Sequence, residues 1–494
     1  TPSVTPRPRR CPSSLSITDP VLMAASDNAG SSPSQRNDPS QNQSDTFPSS
    51  KMERGKIFAK TGLKVGANYA RYLKDRVTKR GADREAQKRD LNTKNAQDLF
   101  KEFTKLRGTA LKLAQGLSMD SSMLPEEFAE VMAESQYRVP PMNRALVRKR
   151  IRDALGRDPA LLFNDFTPDA IAAASIGQVH RATLDDGRDV AVKVQYPNVR
   201  ETIDSDLAMA RTIVRRMISS PHLDDYFEEI RARLMEETDY ENEAENIAFF
   251  ADQYAREGVI TPRPVRDFTS ETVLTMTFVE GDHLLEFLDT TPSQQRRDHF
   301  GQLLWDVIHE QVASNHRTIH ADAHPGNFLF RDDGQLGIID FGCVKTFPQS
   351  FRDDMLRLYR ARIEEDEDAI EPLLYRLNIL REDLSSSMKT KLRDFFNRFG
   401  SLIVRPYRQP TFDFGDPAFH EELSACFRQA SDFRETAGSH HFIFLNKVLV
   451  GIFSLLLKLQ PVINTTHSRD CLNDAVDRIE ARSEPAEAPA EASA

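Results

Sequence analysis

Apolar positions keep a helical period along most of this chain and change to a strand period in a few short regions. Ile57, Phe58, Leu63, Val65, Tyr69, Tyr72 and Leu73 recur among basic residues and predict a partly amphipathic helix. The pattern continues from Asp98 to Ser118, where helical spacing puts Lys112 and Gln115 on one face. Leu124 and Pro125 start a further helix, Val139 to Pro141 breaks it, and Leu146 to Leu155 forms another that Gly156 ends.

Between residues 171 and 198 the period becomes two. The small residues Ala172, Ala173, Ala174 and Ser175 lead through Val179 and a turn at Asp185 to Gly187 into Val190-Ala-Val-Lys193-Val194. The apolar neighbours of Lys193 predict burial, and a buried lysine requires a partner. Helical spacing returns in an insert over 199–235, followed by an acidic run in which Glu237, Asp239 and Glu243 lie within two turns. Such an acidic helical run is more often only a solvated face. Residues 264–268 and 272–279 predict a strand pair closing a small sheet, with Met276 just before a hinge at Glu280 and Gly281.

Thr291-Pro292-Ser293-Gln294 predicts a capping box, and Phe300, Leu303, Leu304, Val307, Ile308 and Val312 trace a long helix behind it. The chain then meets a hairpin, Phe328 to Phe330 against Ile338 and Ile339. From Gly342 to about Pro461 it reads as helical. The stretch 442–457 is the most apolar, but Asn446, Lys447 and Lys458 keep the uninterrupted run below the ~18 residues of a membrane span, so a core helix is expected.

At 494 residues the chain accommodates two or three domains. A net charge of −10 excludes bulk binding of nucleic acid. Cys11, Cys343, Cys426 and Cys471 lack paired spacing, so neither a disulfide framework nor a zinc site is indicated, and a reducing compartment fits. Residues 1–50 hold twelve Ser and eight Pro and are expected to be disordered, as is the Ala/Glu/Pro-rich tail from about 482. Arg7, Arg9 and Arg10 beside serines hint at a transit peptide, yet no amphipathic helix or apolar stretch follows them. From Lys51 to Arg80 ten basic residues face only Glu53 and Asp75, which suits an anionic membrane surface and equally a helix packed on the main body. A cytoplasmic protein, peripheral at the inner face of a membrane, is the expected location.

The candidate chemistry lies in His320-Ala-Asp322-Ala-His-Pro-Gly-Asn327 and, thirteen residues on, Asp340-Phe-Gly342. A carboxylate followed five residues later by an amide, then a second carboxylate leaving an apolar strand, is the spacing that holds a triphosphate through magnesium. Asp322 would orient a hydroxyl or water. Asn327 and Asp340 are hard oxygen ligands of the type Mg2+ takes. Each residue alone is an ordinary turn former; their order carries the reading.

Over residues 55–345 these motifs resemble the UbiB/AarF-type (ADCK) atypical kinases. The resemblance implies an α+β, bilobal protein kinase-like fold, with a small antiparallel-sheet lobe at 168–281 and a large helical lobe at 282–470. A helical extension at 51–167 would precede them and a tail at 471–494 would follow. It also implies that Ala172 to Ser175 replace a glycine-rich loop, that Lys193 pairs with Glu243, and that Met276 lies at the adenine. Lys112 to Gln115 match a Lys-x-Gly-Gln signature, and Glu237 with Asp239 an Glu-x-Asp signature that Lys112 would face. Asp322 would be catalytic, and Asn327 and Asp340 would bind metal. Ala114 replaces the signature glycine, and Thr277 stands where relatives often carry a hinge Glu.

On this reading the chain is a phosphotransferase or ATPase using Mg2+ with ATP or ADP in isoprenoid-quinone, ubiquinone-type or other membrane-lipid metabolism. Its partners would be an adenine nucleotide, an anionic membrane surface and an isoprenoid lipid or quinone precursor. The alternatives are a protein serine/threonine kinase and a nucleotide-binding scaffold without turnover. The stretch from Gly342 to about Phe351 is too short for a long activation segment, and no Ala-Pro-Glu follows it.

Overall fold

The computed structural model describes residues 51–76, 88–98, 141–174, 176–215, 223–430 and 440–483. Lys112, Ala114, Gln115 and Ser175 lie outside the described residues, as do 1–50 and 484–494.

The small lobe is built on an antiparallel sheet. Its strands are β1 (Asp165–Phe166), β2 (Ala172–Ala174), β3 (Gly177–Thr183), β4 (Asp189–Gln195) and, after an intervening β5 (Val259–Ile260), β6 (Val273–Thr277). The order is β1-β3-β4-β6, with β2 also pairing β3. Gly187, at φ 85°, turns β3 into β4, and this positive φ is where the hairpin needs glycine. In β4, Lys193 stands opposite Val179 on one side and Leu274 on the other. That central place buries Val190, Val192 and Val194 completely and leaves Lys193 only 6% exposed.

The expected strand at 264–268 does not form. Pro264, which has no N–H to offer a ladder, makes a single bridge to Met276, and Arg266–Phe268 curls into a 3-10 turn. Thr275 Oγ1 donates to the Phe268 carbonyl at 2.6 Å and holds that curl.

Two helices, Val199–Val214 and Leu223–Glu237, form the insert. The basic helix Lys51–Arg76 packs against Val199–Val214 and buries Thr61, Val65 and Asn68. Asn68 Nδ2 donates to Asn95 Oδ1 at 2.9 Å, tying it to the helical residues 88–98. Its Met52 and Leu63 stay exposed.

The large lobe gathers around helix Gln294–Ala313, whose Phe300, Leu304 and Trp305 are fully buried. Its N-cap is Ser293, not the Thr291 of the expected capping box; the Ser293 hydroxyl accepts from Arg296 N. Thr291 belongs to the preceding turn, where its N–H donates to Leu288 O at 2.9 Å.

Helices dominate after Gly342, but strands interrupt them: β10 (Val344–Thr346) pairs with β7 (Thr318–His320), and β11 (Thr411–Asp413) with β12 (Val462–Asn464). Helix Thr466–Ser483 packs on Gln294–Ala313 with Leu472, Ala475, Val476 and Ile479 buried, so the lobe continues past the expected boundary at 470. The apolar helix His440–Leu459 lies in the core, with Val448, Phe453, Leu455, Leu456 and Leu459 buried. No described helix is long and apolar enough to cross a membrane.

Candidate active site

The two lobes meet at a charged cluster. Helix Tyr240–Gln253 carries Glu243 beneath β4, and Asp239 caps that helix by accepting from Asn242 N at 3.1 Å. Glu237 ends the helix before it and is half-buried. Lys193 Nζ donates to both oxygens of Glu243, at 2.8 and 2.9 Å, and approaches Asp340 Oδ2 at 3.4 Å.

Burial works against the lysine charge, but Asp340 and Glu243 more than offset it, and Lys193 is held well above the ordinary lysine range. Burial also pushes Glu243 up to about 7, with Lys193 opposing and Asp340 adding to the rise. A buried cation thus sits between two acids.

Below it, β8 (Phe328–Phe330) and β9 (Leu336–Ile338) form the hairpin that holds the polar loop. Asn327 Nδ2 donates to the Asp322 carbonyl at 2.9 Å and to Asp322 Oδ2 at 3.0 Å, which leaves the amide oxygen as the atom a cation would take. Asp340 Oδ1 accepts from Gly342 N at 2.9 Å. His320 N–H donates to Gln311 Oε1, and its ring Nε2–H donates to the Asp340 carbonyl at 2.6 Å. Asn246 Nδ2 donates to the Phe341 carbonyl at 3.2 Å, coupling the Glu243 helix to the same turn.

One carboxylate and one amide oxygen suit Mg2+, which keeps waters and completes its shell from phosphates. Among the described residues no group of three or more His, Cys, Asp or Glu is placed to hold a metal ion.

Ala172 and Ala173 are exposed and Ala174 half-buried on β2. Gly177, just beyond, has no room for a side chain, since a Cβ there would lie 2.5 Å from Val194 O. Met276 is buried opposite Ala191, and Thr277 Oγ1 accepts from Arg263 N at 2.8 Å, so this hydroxyl supports the 263 turn.

Sequence reasoning assigned no role to His320, Asn246 or Tyr240. Asn246 and Tyr240 share one helix with Glu243 at helical spacing, a signal that could have found them.

The sequence model of the ABC1 atypical kinase-like domain matches residues 134–374, a span holding Lys193, Glu243, Asp322, Asn327 and Asp340. The chain therefore carries an ABC1 atypical kinase-like domain over those residues. Its relatives include the probable serine/threonine-protein kinase abkA of Dictyostelium discoideum, 25% identical over 85% of this chain and 78% of that protein. The mitochondrial atypical kinase COQ8 of Saccharomyces cerevisiae is 28% identical over 75% of this chain and 74% of its own length. The chloroplastic ACTIVITY OF BC1 COMPLEX KINASE 3 of Arabidopsis thaliana is 33% identical over 62% of this chain, which spans only 44% of that protein.

Among solved structures, the Rv3197–erythromycin complex from Mycobacterium tuberculosis matches with a TM-score of 0.55 at 25% identity, covering 79% of this chain and 98% of that one. The ABC1 domain therefore has the bilobal kinase-like fold, with Lys193 in its small lobe and Asp322, Asn327 and Asp340 in its large lobe.

Proposed function

We propose that this ABC1 protein is a magnesium- and ATP-dependent atypical kinase that transfers phosphate to a small-molecule acceptor or to water. The observation that carries the reading is the buried Lys193, bonded to Glu243 and in contact with Asp340 across the cleft from Asp322 and Asn327. Lys193 would hold the α- and β-phosphates, with Glu243 fixing its position. Asp322 would orient the attacking hydroxyl and accept its proton, and Asn327 would hold Asp322 in place. Asn327 and Asp340 would hold Mg2+, which when bound neutralises phosphate charge. Ala172 to Ser175 would cover the phosphates, and Met276 would border the adenine. Lys112 and Gln115 would lie over the cleft, with Lys112 facing Glu237 and Asp239.

Residues 343–348 are all that separate Gly342 from helix Gln349–Glu364, and Val344–Thr346 of these pair with β7. That leaves no peptide platform and favours a small acceptor over a protein serine/threonine kinase. The basic helix Lys51–Arg76, and a relative named as mitochondrial COQ8, support a role at a membrane surface in isoprenoid-quinone or other lipid metabolism.

Phosphate release, with and without quinone-precursor analogues and anionic liposomes, tests the acceptor. Asp322→Asn should keep nucleotide binding and lose turnover. Asp340→Asn should lose the magnesium-dependent part of the thermal shift given by ATP. A wild-type protein that binds ATP but forms neither ADP nor a phosphorylated acceptor would leave the scaffold reading standing instead.

A further inference from the structure

The charged cluster contains one fully buried hydroxyl that the reading above does not use. Tyr240 opens the helix that carries Glu243; it is 0% exposed, and its hydroxyl has no hydrogen-bond partner. The ring lies 5.1 Å from Lys193 Nζ. The hydroxyl comes within 2.8 Å of where a Cβ on Gly177 would stand, so it reaches the strand that leaves the alanine segment. It borders both acids of the cluster: burial first, then Glu243 and Asp340, push the phenol up against the opposing Lys193, and it stays an O–H donor at any ordinary pH.

A buried hydroxyl with no acceptor is destabilising, and a phenylalanine of the same shape avoids that penalty. The fold nevertheless keeps a tyrosine whose ring faces the Lys193 ammonium. Lys193 has short contacts to Glu243, 2.8 and 2.9 Å, and a longer one to Asp340, 3.4 Å. An anionic oxygen entering between Lys193 and Asp340 would part the longest contact of the cluster, at a lysine whose ammonium lies 5.1 Å from the Tyr240 ring.

We propose that the Tyr240 hydroxyl donates to a phosphate oxygen of a bound nucleoside di- or triphosphate, making it a phosphate-binding residue. This rests on the nucleotide reading of the same cleft and adds a donor to it. No bond is made or broken at Tyr240.

The test is Tyr240→Phe in the full chain, with calorimetric titration of MgATP, MgADP and adenosine and with melting of the ligand-free protein. The expected result is a ligand-free melting temperature equal to or above wild type. MgATP and MgADP affinity should fall about tenfold or more, as when a neutral donor is lost from a charged acceptor. Adenosine affinity should not change. Equal nucleotide affinities in the two proteins, or an equal loss for adenosine, would overturn the proposal while leaving the nucleotide reading intact. A lower ligand-free melting temperature would show that the hydroxyl is already satisfied and would also overturn it. If the wild type binds neither nucleotide, the functional reading itself fails and the proposal goes with it.

Discussion

Helix His440–Leu459 crosses the catalytic loop at Gly451, and there a single methyl group should be damaging. A Cβ at Gly451 would stand 2.6 Å from the Ala323 carbonyl oxygen and 2.8 Å from the Ala323 Cβ. Ordinary contacts between carbon atoms lie near 3.5–4.0 Å, so the methyl is about 1 Å too close to a backbone that cannot rotate away. Overpacking of this kind costs about 1–3 kcal/mol. Gly→Ala in an open helix interior has the opposite sign, a gain of up to about 1 kcal/mol. Gly66, with nothing within 4 Å of its would-be Cβ, is the matched control. Gly301, whose Cβ would strike Pro461, is a second control for a clash away from the charged cluster. Urea unfolding should therefore rank Gly66→Ala above wild type and both Gly451→Ala and Gly301→Ala below it. Because Ala323 follows Asp322 directly, only Gly451→Ala should also weaken MgATP binding or turnover. A Gly451→Ala protein as stable as wild type, or an equal loss of nucleotide affinity in Gly301→Ala, would refute the argument.

His309 is fully buried in the large lobe, its Nδ1–H donating to Trp305 O at 2.5 Å and its Nε2 accepting from the Tyr407 hydroxyl. Burial lowers its pKa from 6.5 to about 4, so the unfolded chain binds a proton that the folded chain refuses; the stability this group contributes is present above 6.5 and lost as pH falls towards 4, about 3 kcal/mol in all. His309→Gln should flatten that part of the urea-stability profile, and parallel profiles for the two proteins would count against it. Lys193→Met leaves Glu243 and Asp340 facing each other without their cation, whereas Glu243→Gln leaves Lys193 with Asp340. The first should cost more, about 3 kcal/mol at neutral pH, and a reversed order of melting temperatures would contradict the cluster geometry.

The parts of this fold that the sequence made legible are those in which neighbours along the chain are neighbours in space. The turn at Gly187, the hairpin Phe328–Ile338 and the lysine within an apolar strand are all local, and all stand where spacing put them. A buried lysine demands an acid, and the acidic run offered Glu237, Asp239 and Glu243; the choice of Glu243, fifty residues on, came from the family resemblance. Contacts without such a demand stayed hidden. The β11–β12 pair joins short strands about fifty residues apart in a region of helical period. The Gly451–Ala323 contact depends on two elements meeting, and no periodicity encodes it. The shifted cap at Ser293 is a smaller case: two capping residues separated by Pro292 compete, and the end of the preceding short helix takes Thr291.

What the cleft can accept follows from how tightly its lower edge is tied. Ala321 N–H donates to the Cys343 carbonyl at 2.9 Å, Val344–Thr346 pair with Thr318–His320, and Phe347 N–H donates to the Arg317 carbonyl at 2.9 Å. Residues 343–347 are therefore hydrogen-bonded back to residues 317–321, which lead into the Asp322 loop. A segment held this way cannot swing out to receive a peptide without breaking a ladder that also positions Asp322. On the proposed reading an acceptor would approach from the side of the exposed Ala172 and Ala173. A small hydroxyl-bearing acceptor would suit that approach better than an extended polypeptide.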